Sequence, residues 1–219
     1  MIGIMKFFRD EEYLDSLISG TLYCNTPEFY RQSNAEGVSD KNESCLFSYR
    51  KKRGDEKVIA EFNGKEIKNI KCFTAHNPDL KEAWLHCWMT FEIPETDQEL
   101  ECLENDIQRV RNEFGRHFAF IAYNEIVPFL NAVQSMTQLQ VLARKVSYSK
   151  KAVDLSPTSK DISYSYQREF RFLIGQCETD QVEPLQLKYK DNFSKFLHKN
   201  PEIVLSLEGQ LDPLFKLSA

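Results

Sequence analysis

Glu169 sits in a run whose residue types alternate: Tyr166-Gln167-Arg168-Glu169-Phe170-Arg171-Phe172-Leu173-Ile174. At the two-residue period of a strand, Phe170, Phe172 and Ile174 point into a core. Gln167, Glu169, Arg171 and Leu173 point the other way. A carboxylate between an amide and a guanidinium has two uses. It forms an ion pair across strands on a solvated face, or it stabilises positive charge that develops in a substrate. The basic run Arg50-Lys51-Lys52-Arg53 is the second candidate. It is either a solvated hairpin tip or a local grip for a nucleic-acid substrate, with Phe47, Tyr49 and Phe62 near enough in sequence to stack bases. His76, His86 and Cys87 fit no metal-ligand spacing, and no metal is expected. The six cysteines, Cys24, Cys45, Cys72, Cys87, Cys102 and Cys177, contain no Cys-x-x-Cys pair and are expected to be reduced. No Gly-x-Gly-x-x-Gly, Walker loop or Gly-x-Ser-x-Gly elbow occurs.

These residues need elements to hold them. Asp10 opens a helix with the apolar stripe Tyr13, Leu14, Leu17 and Ile18, and Gly20 stops it. A strand over Thr21–Asn25 follows. Thr26 then caps a short helix with Pro27 at its first position. After a polar loop to Ser44 come strand-like runs Cys45–Tyr49, Lys57–Phe62 and one ending at Thr74, with Asn63-Gly64 as a hairpin turn. Ala83–Ile93 reads as a strand. Thr96 and Glu99 form a capping box for a helix reaching Gly115, with Leu100, Leu103, Ile107, Val110 and Phe114 on one side. The remaining chain reads as strand His117–Tyr123, helix Glu125–Met136, strand Leu139–Tyr148, polar loop Ser156–Ser165 and strand Tyr166–Ile174. Strand Val182–Tyr189, short helix Asn192–His198 and strand Ile203–Leu207 close it. Strands and helices without regular βαβ alternation predict one α+β domain over residues 1–219, with mostly antiparallel sheet flanked by helices.

The 219 residues carry 28 Lys+Arg and 33 Asp+Glu, a formal net charge of −5, and 42% are hydrophobic. Such a chain can bury a core without disulfides. Its composition excludes a collagen-like or disordered protein. The acidic balance excludes a grip on nucleic acid by the whole surface, though not a local basic contact. Met1–Arg9 is too short and too soon charged for a signal segment, and no run of ~18 apolar residues exists. A cytoplasmic protein with no membrane partner is expected.

The order of these pieces resembles the ADP-ribosyltransferase superfamily. Lys6-Phe7-Phe8-Arg9 closes an early strand, and Leu17-Ile18-Ser19-Gly20-Thr21-Leu22 matches the family's helix-to-strand junction. Cys72-Phe73-Thr74 stands at the central strand, and Gln167-Arg168-Glu169 matches a Gln-x-Glu form of the last motif. The chain is also similar to a bacterial family with an opening Lys-Tyr-Arg, a Gly-x-Leu-Tyr strand, a central Cys-Phe-Ser, a Trp-containing strand and a late Glu-x-Arg. Gly20–Tyr23, Trp84 and Glu169–Arg171 fall at those places, while Glu28-Phe29-Tyr30-Arg31 replaces the usual Asn-Asp-Pro.

The resemblance implies split antiparallel sheets and NAD as co-substrate. It implies Glu169 as the catalytic carboxylate, Gln167 facing the nucleophile, and Arg171 fixing Glu169. Arg9 would pair with the pyrophosphate, Phe8 would also bind the cofactor, Thr74 would hold the ribose or nicotinamide, and Tyr23 and Tyr30 would stack on the ring. The acceptor of ADP-ribose would be a protein or a nucleic acid, the latter met by Arg50, Lys51, Lys52 and Arg53. A toxin of bacterial or phage-defence systems, with an inhibitory antitoxin as partner, is the implied setting. The alternatives are an inactive binding protein on the same fold, and a nucleic-acid-binding protein or nuclease using residues 50–53 with His76 or His86. On the transferase reading, Glu169→Gln abolishes transfer with little loss of stability.

Overall fold

The computed structural model describes residues 1–77, 79, 81–151, 154–208 and 212–219, apart from the side chain of Phe62. The stacking role expected of Phe62 therefore lies outside the described residues. Elements appear in the order β1 (Gly3–Phe8), α1 (Glu11–Ile18), β2 (Thr21–Cys24), α2 (Pro27–Gln32), β3 (Phe47–Arg50), β4 (Glu61–Phe62), β5 (Lys65–Glu66) and β6 (Cys72–Ala75). They continue with β7 (Trp84–Phe91), α3 (Asp97–Phe114), β8 (His117–Ala122), α4 (Ile126–Gln134), β9 (Val141–Lys145), β10 (Ser147–Ser149) and β11 (Ser159–Asp161). The last are β12 (Glu169–Ile174), β13 (Leu185–Lys188), β14 (His198–Lys199), β15 (Ile203–Leu205) and β16 (Phe215–Leu217).

β1 becomes a middle strand because both its faces carry apolar residues. Ile4 faces one core, and Met5 and Phe7 face the other. The main sheet has six strands in the order β14-β8-β1-β7-β12-β9, and neighbours run antiparallel. On one face, Ile4, Trp88, Ile121 and Phe172 meet Leu14 and Leu17 of α1, Phe129 and Val133 of α4, and Phe193. On the other, Met5, Phe7, Met89, Phe91 and Phe118 meet Leu103, Ile107 and Val110 of α3. This is a single α+β domain with mostly antiparallel sheet; among the described pairs only β10–β11 is parallel.

The local signals explain most elements. Thr26 Oγ1 accepts from Phe29 N at 3.2 Å, and Thr96 Oγ1 accepts from Glu99 N at 3.2 Å. Glu99 returns a carboxylate to the Glu95 amide rather than to Thr96, so the capping box closes one residue early. Asp10 occupies the N-cap of α1 without a side-chain capping bond. Asn63 and Gly64 both have positive φ, as a tight two-residue hairpin requires.

Four expectations need correction. Leu139–Tyr148 divides at Val146 into β9 and β10, because the partner strand β12 begins at Glu169 and the chain beyond Val146 pairs with β11 instead. The polar loop 156–165 contains β11 and the start of a 3-10 helix, Ile162–Gln167. Asn192–His198 is a single turn, since Asn192 Oδ1 accepts from Ser194 N in an Asx turn that competes with helix. The run 57–62 pairs only at Glu61–Phe62, because a lone two-stranded ribbon has no third strand or core to extend it.

Gly115 ends α3 with φ of 104°, and a Cβ there would lie 2.3 Å from Phe8 O. Gly115→Ala should therefore lower the urea-unfolding free energy by about 2–4 kcal/mol, adding backbone strain to overpacking. Gly54, also at positive φ but with nothing within 4 Å of its Cβ position, should lose only about 1 kcal/mol on the same change.

Candidate functional site

The main sheet parts in its middle. β1 and β8 pair along six positions, from Gly3↔Ala122 to Phe8↔His117, and β7 and β12 pair from Glu169↔Met89 to Ile174↔Trp84. β1 and β7 pair at only three, Gly3↔Phe91, Ile4↔Thr90 and Met5↔Met89. Beyond Met5 the two halves diverge, and a cavity of about 230 Å³ occupies the gap. Met5, Lys6 and Phe7 line it from β1, Cys87, Trp88 and Met89 from β7, and Glu169 and Arg171 from β12. Lys6 Nζ crosses the gap and donates to Cys87 O at 2.8 Å, replacing a ladder bond that the divergence removes.

The charged wall of this cavity is a buried network. Helix α3 covers the β1–β8 side of its face. Over β12 the cover comes instead from the segments around Glu43 and Lys160. Glu169, 6% exposed, accepts from Lys160 Nζ at 2.7 Å and from Arg171 Nε at 2.6 Å. Arg171, 1% exposed, also makes a two-pronged pair with Glu43 at 2.8 Å each, and donates to Pro157 O. Lys160 Nζ further donates to Gln167 Oε1 at 2.9 Å and lies 3.6 Å from Asp40. The amide of Glu169 donates to Tyr148 Oη at 2.7 Å.

Gln167 reaches this cluster by an unexpected route. Strand alternation was expected to put it beside Glu169, but β12 begins at Glu169 and Gln167 ends the 3-10 helix. Arg168 between them has φ of 44°, a left-handed conformation uncommon outside glycine. That turn points both side chains at Lys160. Gln167 Nε2 donates to Gly37 O at 2.9 Å and to Tyr166 Oη at 3.2 Å, so both ends of the amide are engaged.

The other sequence candidates lie in different places. Tyr30 is half-buried and lines the cavity, its hydroxyl 4.0 Å from Cys87 Sγ. Arg9 is exposed and does not line it; its guanidinium donates to Glu113 O at 2.7 and 3.1 Å, near the C-terminal end of α3. Phe8 packs against the first core, and Tyr23 is 52% exposed on β2. Thr74 Oγ1 accepts from Arg50 Nη2 at 2.7 Å in a second buried cluster. There Arg50 pairs with Glu28, and Arg31 with Glu28 and Glu82. The basic run is therefore divided. Arg50 and Arg53 are committed to Glu28 and Asp55, while Lys51 and Lys52 are exposed on a 3-10 turn. Among the described residues no group of His, Cys, Asp and Glu is arranged to hold a metal. No disulfide forms among them.

Charge pairing sets the protonation states. Burial by itself would raise the Glu169 carboxyl, but Arg171 and Lys160 outweigh it and hold it at about 2. Glu43 is likewise lowered by Arg171 and Lys160 against burial. Asp40 goes the other way: burial and then the Glu43 charge push it up to about 6. Burial lowers Lys160, yet Glu169 and Glu43 reverse this and hold its ammonium charged. Burial lifts the Tyr30 hydroxyl well above its ordinary value, so it stays protonated.

Lys160, Glu43, Asp40 and Lys6 were absent from the sequence candidates. The one hint was Arg171 itself. A guanidinium on an otherwise apolar strand requires a buried counterion, but nothing local says which. The class this geometry defines is an α+β domain whose main antiparallel sheet is paired over only three positions in its middle, with a carboxylate at the wall of the adjoining cavity. Compared with protein-family models, with curated proteins and with solved structures, the chain matches none.

Two tests of the network follow. Glu43→Gln or Glu169→Gln should cost about 3–5 kcal/mol, because each leaves a buried cation short of a partner. The expectation that Glu169→Gln spares stability is thus revised. Glu169 and Glu43 titrate lower folded than unfolded, so their stabilisation is full above ~4.3 and is lost as pH falls through the folded values, about 2 for Glu169. Asp40 opposes this. Raised to about 6, it favours the fold below ~3.9 and loses that contribution as pH rises through 6. Urea unfolding measured across pH 2–7 should show both slopes, and Asp40→Asn should remove the second.

Proposed function

We propose that the cavity binds the nicotinamide–ribose end of NAD and transfers ADP-ribose to a macromolecule. The observation that carries this reading is the ionised carboxylate of Glu169 at the wall of a cavity in a parted sheet. When the glycosidic bond breaks, nicotinamide leaves with the bonding electron pair and the ribose C1′ becomes cationic. A fixed carboxylate, partly desolvated, stabilises that charge more than water does. The acceptor's nucleophile then bonds to C1′ and releases its proton to solvent. Lys160 and Arg171 keep Glu169 charged and immobile; they limit its basicity, which suits electrostatic stabilisation better than proton abstraction.

Size also supports a partial fit. The cavity, about 230 Å³, is below the ~300–1,000 Å³ of pockets that enclose a drug-sized ligand. It suits one ring and one sugar, with the remaining dinucleotide outside. Among its lining residues, Asn25, Tyr30 and Gln167 offer polar side chains beside the charged wall.

The second reading is a binding protein without catalysis, favoured by both Glu169 oxygens being already engaged by cations. Radiolabelled NAD with a cell extract separates the two. The transferase reading expects label on protein or nucleic acid and nicotinamide release, with both reduced ~10²–10³-fold in Glu169→Gln that is verified as folded. Arg9→Ala should leave NAD affinity unchanged, as Arg9 caps α3. The absence of both NAD binding by calorimetry and nicotinamide release ends the transferase reading and selects the binding protein, and a saturable NAD isotherm with release overturns the latter.

A further inference from the structure

The cations buried with the two clusters each meet a carboxylate closely: Arg31 with Glu82 at 2.5 Å, Arg50 with Glu28 at 2.6 Å, Lys160 with Glu169 at 2.7 Å and Arg171 with Glu43 at 2.8 Å. Lys6 differs. It lines the cavity, its polar contact is the Cys87 carbonyl at 2.8 Å, and its Nζ lies over the Phe8 ring, 5.9 Å from the ring centre. No carboxylate lies within ion-pair distance of it among the described residues. The groups facing it are Cys87 and His86 on β7, Cys24 on β2 and, farther off, Glu169 on β12. The thiols of Cys24 and Cys87 are raised by burial to about 12 and about 11, and the His86 imidazole is held neutral by burial and by Lys6. What remains to stabilise an ammonium is the Cys87 carbonyl, the face of the Phe8 ring and the more distant Glu169, with no carboxylate in direct contact among the described residues.

We propose that Lys6 is a reactive amine that captures a small hydroxylated aldehyde or ketone, such as the open-chain form of a sugar, as an imine in this cavity. The Cys87 carbonyl accepts an N–H from the amine in either protonation state. In the neutral state the lone pair of Nζ is left for a carbonyl carbon. A C–N bond forms, the carbonyl C–O bond breaks, and both N–H hydrogens leave with the oxygen as water. No oxidant or reductant is needed. Burial lowers Lys6 from its ordinary value, with Cys87, Cys24 and Glu169 opposing in part. Asn25 and Tyr30 line the cavity and carry polar side chains suited to substrate hydroxyls, which a purely hydrocarbon aldehyde would leave unmet. The inference stands on the cavity alone and does not require the transfer of ADP-ribose.

Limited labelling with glycolaldehyde and cyanoborohydride, followed by peptide mapping, tests it on the wild-type protein. At pH 7 the reduced adduct should accumulate on Lys6 ahead of the exposed Lys51 and Lys52, by about tenfold for each unit that its pKa is lowered. Ribose in excess should protect Lys6 and not the surface lysines. Lys6→Arg keeps a donor for the Cys87 carbonyl and should abolish the cavity adduct without loss of fold. Labelling of Lys6 no faster than Lys51 and Lys52, or a rate that rises only near pH ~10.4, overturns the inference and leaves Lys6 as a strut between strands. Nicotinamide release from NAD, read on the same preparation, separates the outcomes: an adduct without release keeps Lys6 reactive and ends the transferase reading.

Discussion

A guanidinium on the inner face of a strand must be neutralised where it stands. Arg171 is 1% exposed, between Phe170 and Phe172, and desolvating such a charge costs several kcal/mol. Glu169 two residues earlier and Glu43 from a distant loop both answer it. Two carboxylates for one guanidinium would leave excess negative charge, and Lys160 supplies the balance. Those four side chains draw together β12, the loop at Glu43 and β11. They explain why irregular segments, rather than another helix, cover this part of the sheet.

The same pairing shapes the cavity. The charged wall lies over β12, and beyond Met5 the pairing of β1 with β7 ends while its pairing with β8 continues to Phe8. Lys6 bridges the opening to Cys87, and the gap is lined by apolar side chains with one charged side at Glu169, Arg171, Lys160 and Glu43. The left-handed turn at Arg168, itself tied to Asp106 at 2.7 Å, aims Gln167 and Glu169 at one ammonium. Strain of this kind is retained where the surroundings over-determine a conformation.

A second cluster performs a separate task. Arg31, with no exposed surface, donates to Glu28, to Glu82, and to the carbonyls of Glu43 and Thr179. It joins α2 to the segment before β7 and to the region beyond β12. Its contact with the Glu43 carbonyl links the two clusters, so the loop carrying Glu43 is held on both sides. The basic run near residue 50 is largely part of this clasp, which is why only Lys51 and Lys52 remain as free surface charge.

The sequence alone determined what local physics decides. Thr26-Pro27, Thr96, Gly115 and Asn63-Gly64 fixed helix starts, a helix stop and a hairpin, because caps and positive-φ turns act within a few residues. A continuous aromatic and apolar run placed β7, alternation placed most of β12, and the polar row of that alternation named Glu169 and Arg171. The tertiary structure decided what depends on distant partners. Glu43 and Lys160 are 126 and 9 residues from Glu169 along the chain, and no spacing rule joins them. It also placed Arg9 at the end of α3 and Thr74 with Arg50, away from the cavity that the motif order had assigned to them. Lys6 acquired its character only when β1 and β7 diverged, since a lysine on a strand is ordinary until the neighbouring ladder ends and no carboxylate arrives.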